Sequence, residues 1–370
     1  MSRGGRPGGS EEVGAIGVPD ERMAADSIKE IAAREYGLTP ARVLPAKGGY
    51  LLDSPAGQGS AWFLWVSGRK PSRLLFGLAA MEHLRTRGYG AVGQLLPGTS
   101  GQPYVSLDDD LAAYVTAWED CRPLDLRQPA ELRLAARALG ELHTLSEGFV
   151  PWEGASPRGE WGGALLKCGR AASSWQLFRR VAKARLRPTG FDRRFLAAYD
   201  RLACRAEQAV LALQMSSYAE LAGRARQRRS FCHGDFRRDH LSLAGAPGPG
   251  QGGRVVVTGF DSVYYEAPVV ELVEFLLRAA QECHWSPEAA TEVLGGYWEA
   301  TAMECGEEEV LLALTSFPWG PCRVLSRYYE GEQNRPEHIF IERLERELAR
   351  EEAKQLFLRD LTEVVVGESL

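Results

Sequence analysis

The apolar pattern of this chain changes period near Cys121, and that change limits the folds open to it. Before Cys121, short runs with strand character recur at residues 49–52, 61–66, 103–106 and 111–118. Gly- and Pro-containing stretches such as Ser54-Pro55-Ala56-Gly57 and Gly98-Thr99-Ser100-Gly101 read as the loops between them. A helix is expected over residues 26–36, with Ile28, Ile31, Ala32 and Tyr36 on one face and Gly37 ending it. Another is expected at roughly residues 72–87. From Gln128 onward the period is helical. Leu132, Leu134, Ala135, Leu139, Leu142 and Leu145 form one apolar face, and further helices are expected over 192–213, 269–283, 286–300, 307–315 and 336–356. A strand pair, 241–243 and 254–260, interrupts this half around the flexible tip 244–253. The fold class is therefore α+β, a small β-rich part followed by a large, mostly helical one.

Length and charge narrow the function classes. A chain of 370 residues can bury two cores. Its net charge of −5 gives no electrostatic drive toward nucleic acid. The basic residues Arg179, Arg180, Lys183, Arg185 and Arg187 read as the solvated face of one helix, with an anion site as the rarer alternative. The cysteines, Cys121, Cys168, Cys204, Cys232, Cys283, Cys305 and Cys322, are odd in number and form no CxxC pair. Reduced thiols in a cytosolic compartment are expected, without a disulfide frame or a zinc site. Residues 1–22 read as a disordered tail with no signal-peptide apolar run, and no stretch is long and apolar enough for a membrane span.

The chemistry concentrates in two segments. Phe231-Cys-His-Gly-Asp-Phe-Arg-Arg-Asp-His-Leu-Ser-Leu243 precedes the hairpin, and Val255-Val-Val-Thr-Gly-Phe-Asp-Ser262 follows its tip. An aspartate before a short hairpin and a second one after its return strand suit phosphoryl transfer. One carboxylate orients or deprotonates an attacking hydroxyl, and the other holds Mg²⁺ against nucleotide phosphates. His-Gly-Asp alone is a weak signal, and the pair in its strand–hairpin–strand setting is a stronger one. The bland reading is that both aspartates only cap the loop and pair with Arg237 or Arg238. His143 and Cys232 read as core residues. Trp152 and Trp161, in a Gly/Pro-rich stretch, read as partly exposed.

His233-Gly234-Asp235 followed by Gly259-Phe260-Asp261 resembles the catalytic loop and metal-binding segment of the aminoglycoside/choline kinase family. Within it, the chain is most similar to the spore-coat kinase-like branch, the spore coat protein S type. The stretches that carry the closer likeness are Arg69-Lys-Pro-Ser-Arg-Leu-Leu-Phe76 with Ala80-Met-Glu-His-Leu84, Val115-Thr-Ala-Trp-Glu-Asp-Cys-Arg-Pro-Leu-Asp125, Leu142-His-Thr-Leu-Ser-Glu-Gly-Phe149, Ser217-Tyr218 with Leu221, Phe317-Pro318 and Arg327-Tyr-Tyr329. The likeness spans about residues 25–360. It implies a two-lobed, protein-kinase-like fold, with an N-terminal lobe over 23–118, a helical C-terminal lobe over 119–370 holding the catalytic segment 231–262, and a hinge near 116–121. By the same resemblance Asp235 is the catalytic base, His233 supports its loop, Asp261 is the metal ligand, and Thr116 and Trp118 lie where backbone groups meet adenine between the lobes. ATP and Mg²⁺ are the implied cofactors if the chain is active, with a small hydroxylated acceptor.

The sequence departs from that pattern. His240 stands where the family has a metal-binding Asn, and Trp65 where it has a phosphate-binding Lys. Only Gly48-Gly49-Tyr50 stands for the glycine-rich loop, Glu82 has no Lys to meet, and Glu271 replaces a structural Asp. The expectation is a catalytically impaired kinase fold acting through protein contacts with spore-coat proteins, made in the mother-cell cytoplasm and destined for the coat. The alternative is an active ATP- and Mg²⁺-dependent small-molecule O-phosphotransferase.

Overall fold

The computed structural model describes residues 23–53, 61–108, 110–245, 253–331 and 335–368. The expected tail at 1–22 and most of the two Gly/Pro-rich tips lie outside the described residues. The chain divides into two compact units, residues 1–75 with 93–119, and residues 76–92 with 120–370.

The first unit is a sheet with a helix on it. Its strands are β1 (Arg42–Ala46), β2 (Gly49–Asp53), β3 (Ala61–Ser67), β4 (Leu95–Leu96), β5 (Val105–Ser106) and β6 (Ala112–Trp118). They are antiparallel in the order β1-β2-β3-β6-β4, with β5 also on β6. β1 and β4 carry no alternating pattern: β1 is mostly exposed and contains Pro45, which suits an edge. Helix α1 (Ala25–Tyr36) lays Ile28, Ile31, Ala32 and Tyr36 on Tyr50, Leu52, Leu64, Ala113 and Val115. The Tyr36 hydroxyl donates to the Ala113 carbonyl at 2.9 Å, so this polar atom brought into the core is satisfied.

The boundary between the units falls inside helix α2 (Pro71–Thr86), after Leu75. In the second unit, Phe76 packs edge-on against Phe149 and Tyr265. The unit's small sheet is β7 (Cys121–Pro123), β8 (Leu241–Ala244) and β9 (Arg254–Val257), in that order. Around it stand α3 (Pro129–Leu145), α4 (Gly163–Ala184), α5 (Gly190–Met215), α6 (Tyr218–Arg228), α7 (Pro268–Glu282), α8 (Pro287–Ala300), α9 (Glu307–Ser316), α10 (Trp319–Ser326) and α11 (Glu337–Glu368). A π-turn, Arg327–Gly331, follows α10. The α+β class and the helical second half agree with the sequence reading. Among the described residues no helix is long and apolar enough to cross a membrane.

Several local expectations differ from the structure. The strand expected over 254–260 stops at Val257, because Gly259 takes φ 84° and turns the chain into a 3₁₀ turn at Phe260–Ser262. α11 continues past residue 356, since Phe357, Leu361 and Val365 repeat at helical spacing and are fully buried. The basic residues 179–187 do not share one helix: α4 ends at Ala184, and Arg185 turns back to bond the buried Asp192 at 2.9 Å. Asp192 and Thr189 form a capping box at the start of α5, and the Tyr329 hydroxyl donates to Asp192 at 2.8 Å. Tyr328 and Tyr329 are thus part of a helix-start anchor.

Candidate functional site

The segment after α6 cannot continue as a helix, and each departure is held by a specific partner. Cys232 exchanges backbone hydrogen bonds with Tyr264, 3.0 and 3.1 Å, forming an isolated bridge. Gly234 then takes φ 86°, and a Cβ there would lie 2.1 Å from the Ser262 carbonyl oxygen. Only glycine fits both the backbone angle and the approach. The loop that carries Asp235 is therefore laid directly on the turn that carries Asp261.

Glu271, on α7, fixes the loop from beneath. Its Oε2 accepts the His233 N–H at 2.7 Å and its Oε1 the Gly234 N–H at 2.6 Å. The same carboxylate accepts from His143 Nε2 at 3.0 Å, and His143 Nδ1 lies 2.9 Å from the Tyr297 hydroxyl. Burial pushes the Glu271 pKa up, but the His143 bond, the neighbouring charge and the loop N–H groups outweigh it and leave the pKa below the usual range. A buried carboxylate with this many donors stays ionised. His143, expected to serve packing alone, is a hydrogen-bonding member of this anchor. Cys232 is fully buried beside it, and burial drives its thiol pKa well upward, so it is a core thiol.

His233 has the loop-support role in its geometry. The Asp235 N–H donates to Nδ1 at 3.2 Å, so Nδ1 carries no proton. The proton is on Nε2, which donates to the Thr258 carbonyl at 2.9 Å. Burial depresses the pKa of this imidazole to about 4, so it is neutral at physiological pH. One ring thus ties the Asp235 loop to the residue that follows β9.

Asp235 is not an isolated base. His240, on the 3₁₀ turn Arg238–His240, donates from Nε2 to Asp235 Oδ2 at 3.1 Å. Arg237 Nε stands 3.1 Å from Oδ1, and Arg278 Nη1 stands 3.9 Å from it. Burial raises the Asp235 pKa, while the His240 bond and the charges of Arg237 and Arg278 lower it further, leaving a carboxylate held in its ionised form. The His240 ring also closes over Gly259, where a Cβ would lie 2.5 Å from Nδ1. Asp261 is half-buried on the turn that Gly259 begins.

The remaining candidates belong to the first unit. Trp65 sits on β3 opposite Gly49 on one side and Tyr114 on the other. Its Nε1 donates to Thr116 Oγ1 at 2.9 Å, and its ring stacks on Tyr114. Thr116 is inside the sheet, paired with Phe63 and Leu95, and the Ala117 N–H donates to the Gln94 carbonyl at 2.8 Å. Trp118 ends β6 beside Phe63, with ring centroids 5.1 Å apart. Glu82, in the second unit, pairs with Arg85 at 2.6 Å.

Two further groups escaped the sequence reading. Arg278 could not be tied to Asp235 from sequence, 43 positions away. Glu266 is a buried carboxylate that accepts from Gly162 N–H, Ala164 N–H, Ala267 N–H and the Tyr218 hydroxyl, and so caps α4. The available signal for such anchors is a lone acid in an apolar run, as in Val269-Val270-Glu271-Leu272-Val273. Trp161 is half-buried, stacked on Tyr265 at 3.9 Å and donating to the Ser230 carbonyl.

Comparison with known proteins bears on the family and the fold. Residues 65–311 match the phosphotransferase enzyme family. The fold resembles that of an aminoglycoside phosphotransferase from Alicyclobacillus acidocaldarius subsp. acidocaldarius DSM 446, with TM-score 0.78 and 17% identity over 96% of this chain and 100% of that one. It also resembles a spectinomycin phosphotransferase solved with ADP and spectinomycin, TM-score 0.55 and 10% identity over 94% and 98% of the two chains. An amicoumacin kinase solved in complex with AMP-PNP, Ca²⁺ and Ami aligns with TM-score 0.55 and 13% identity over 89% and 93%. At these identities the likeness is one of fold.

Proposed function

The chain belongs to the phosphotransferase enzyme family, and from that premise we propose that it acts through protein contacts, with its phosphoryl-transfer chemistry impaired. The observation that carries this reading is the position of Trp65. It stands where the resemblance expects a phosphate-binding Lys, and its only polar hydrogen is given to Thr116 at 2.9 Å. An indole brings no positive charge to a triphosphate, and such charge is usually the largest contribution to catalysis.

The metal ligands support the same reading. Mg²⁺ takes hard oxygen ligands in near-octahedral geometry. Asp261 supplies a carboxylate. His240 supplies a nitrogen, and its Nε2 already faces Asp235 at 3.1 Å. This donor set does not fit the two-oxygen site that the resemblance implies. The domain division implied by the resemblance, an N-terminal lobe over 23–118 and a C-terminal lobe over 119–370, remains part of this proposal, as does the assignment of Thr116 and Trp118 to an adenine contact. The spore-coat branch supplies the partner class: proteins of the endospore coat, met after synthesis in the mother-cell cytoplasm.

The second reading, an active O-phosphotransferase, is favoured by Asp235 being held ionised and by the retention of Asp261. The ADP of the spectinomycin phosphotransferase and the AMP-PNP with Ca²⁺ of the amicoumacin kinase suggest an adenine nucleotide and a divalent cation for such an activity. Calorimetry with ATP and Mg²⁺ on the wild type and on Asp261→Ala separates the readings. No heat at millimolar nucleotide is expected. Binding that disappears in Asp261→Ala would overturn the impaired reading. For the partner class, a fluorescent fusion in a sporulating host is expected at the spore surface, and a signal spread through the mother cell would remove the coat assignment.

A further inference from the structure

The C-terminal helices form a half-open pocket, with Arg323, Arg327 and Arg346 exposed at its rim and Arg343 and Arg350 half-buried, whose charge the proposed function leaves unused. α10, the π-turn after it and α11 surround about 220 Å³, with Arg323, Arg327, Arg343, Arg346, Arg350 and Glu347 on its walls. None of the loop residues around Asp235 and Asp261 lines it. Glu347 is its only lining carboxylate, and Oε1 of that group is taken by Arg350 at 2.6 Å. Arg323, Arg327, Arg343 and Arg346 have no carboxylate within ion-pair distance among the described residues. Nη1 of Arg343 is buried and has no hydrogen-bond acceptor.

Guanidinium groups do not lose their charge at any physiological pH, so they cannot relieve this crowding by deprotonation. A buried donor left unmade is costly, and more so when it is charged. The arrangement is relieved by an anion that brings several acceptor oxygens at once. Planar guanidinium forks match the oxygens of phosphate in pairs. A single carboxylate ligand would leave most of the excess charge unanswered, whereas a ligand with two or more phosphoryl groups would match it.

We propose that this cavity is a binding site for a small phosphorylated compound carrying at least two phosphoryl groups, independent of the Asp235–Asp261 constellation. Inorganic pyrophosphate, without Mg²⁺, is the probe, measured by calorimetry on the full chain. One pyrophosphate per chain is expected. Arg343→Gln with Arg346→Gln should weaken it at least about tenfold, the loss of one or more charge-assisted hydrogen bonds. A charge-matched control, Arg34→Gln with Arg42→Gln, and the loop variant Asp261→Ala should leave it unchanged. Arg327→Gln, an exposed side chain, serves as a second pocket variant should the double variant fail to fold. Absence of pyrophosphate binding overturns the proposal. So does equal weakening in the charge-matched control, which would mark diffuse counterion attraction, or loss of binding in Asp261→Ala, which would move the site to the loop.

Discussion

His240 Nε2 lies 3.1 Å from Asp235 Oδ2, so the residue standing where the resemblance expects a metal-binding Asn is hydrogen-bonded to the carboxylate proposed as the catalytic base. Restoring the family pattern tests this directly. On the proposed impaired reading, His240→Asn with Trp65→Lys is expected to acquire Mg²⁺-dependent ATP binding by calorimetry, and the wild type is expected to show none. If the double variant folds and still binds nothing, these two positions do not account for the proposed impairment.

Glu271 holds two backbone N–H groups and one imidazole in a site closed to water. Glu271→Ala strands all three donors. The expected loss is on the order of 3–5 kcal/mol, the range seen when one partner of a buried charged network is removed. Urea unfolding measures it, and a change within experimental scatter would mean that the loop does not depend on this anchor.

His233 makes stability depend on acid. Its folded pKa is held at about 4 by burial, against an ordinary value of 6.5. Between those values the unfolded chain binds the extra proton and the folded one does not, so stability is fully present above about pH 6.5 and falls as the pH drops toward 4. The expected total is on the order of 3 kcal/mol. The depressed carboxylates Asp235 and Glu271 act in the same direction at lower pH. Urea midpoints across this range should slope downward in the wild type and less steeply in His233→Gln. Equal slopes would show that His233 is not the group responsible.

Gly234→Ala places a Cβ 2.1 Å from the Ser262 carbonyl oxygen at φ 86°. Backbone clash and left-handed strain both apply, and a destabilisation of about 2–4 kcal/mol is expected. Thermal unfolding reads it. A variant as stable as the wild type would mean that the two aspartate-bearing turns are not in the close contact described.

The chain's own pattern determined a good deal. The change from strand-like to helical periodicity near Cys121, the helix stop at Gly37, and the two aspartates flanking a hairpin are local features, written in neighbouring residues. That His240 stands at a metal position is an expectation carried by the family resemblance, not by the spacing itself. What periodicity cannot carry is pairing between distant positions. Glu271 meets His233 at a separation of 38 residues, Trp65 meets Thr116 at 51, and His143 meets Glu271 at 128. α6 and α10 are short, and their ends depend on the elements packed around them. The arginines of the C-terminal pocket lie on α10, the π-turn and α11, up to 27 residues apart in sequence. Only folding brought them around one space. A charge's neighbours, and therefore whether it is solvated, paired or stranded, are set by tertiary distance rather than by position along the chain.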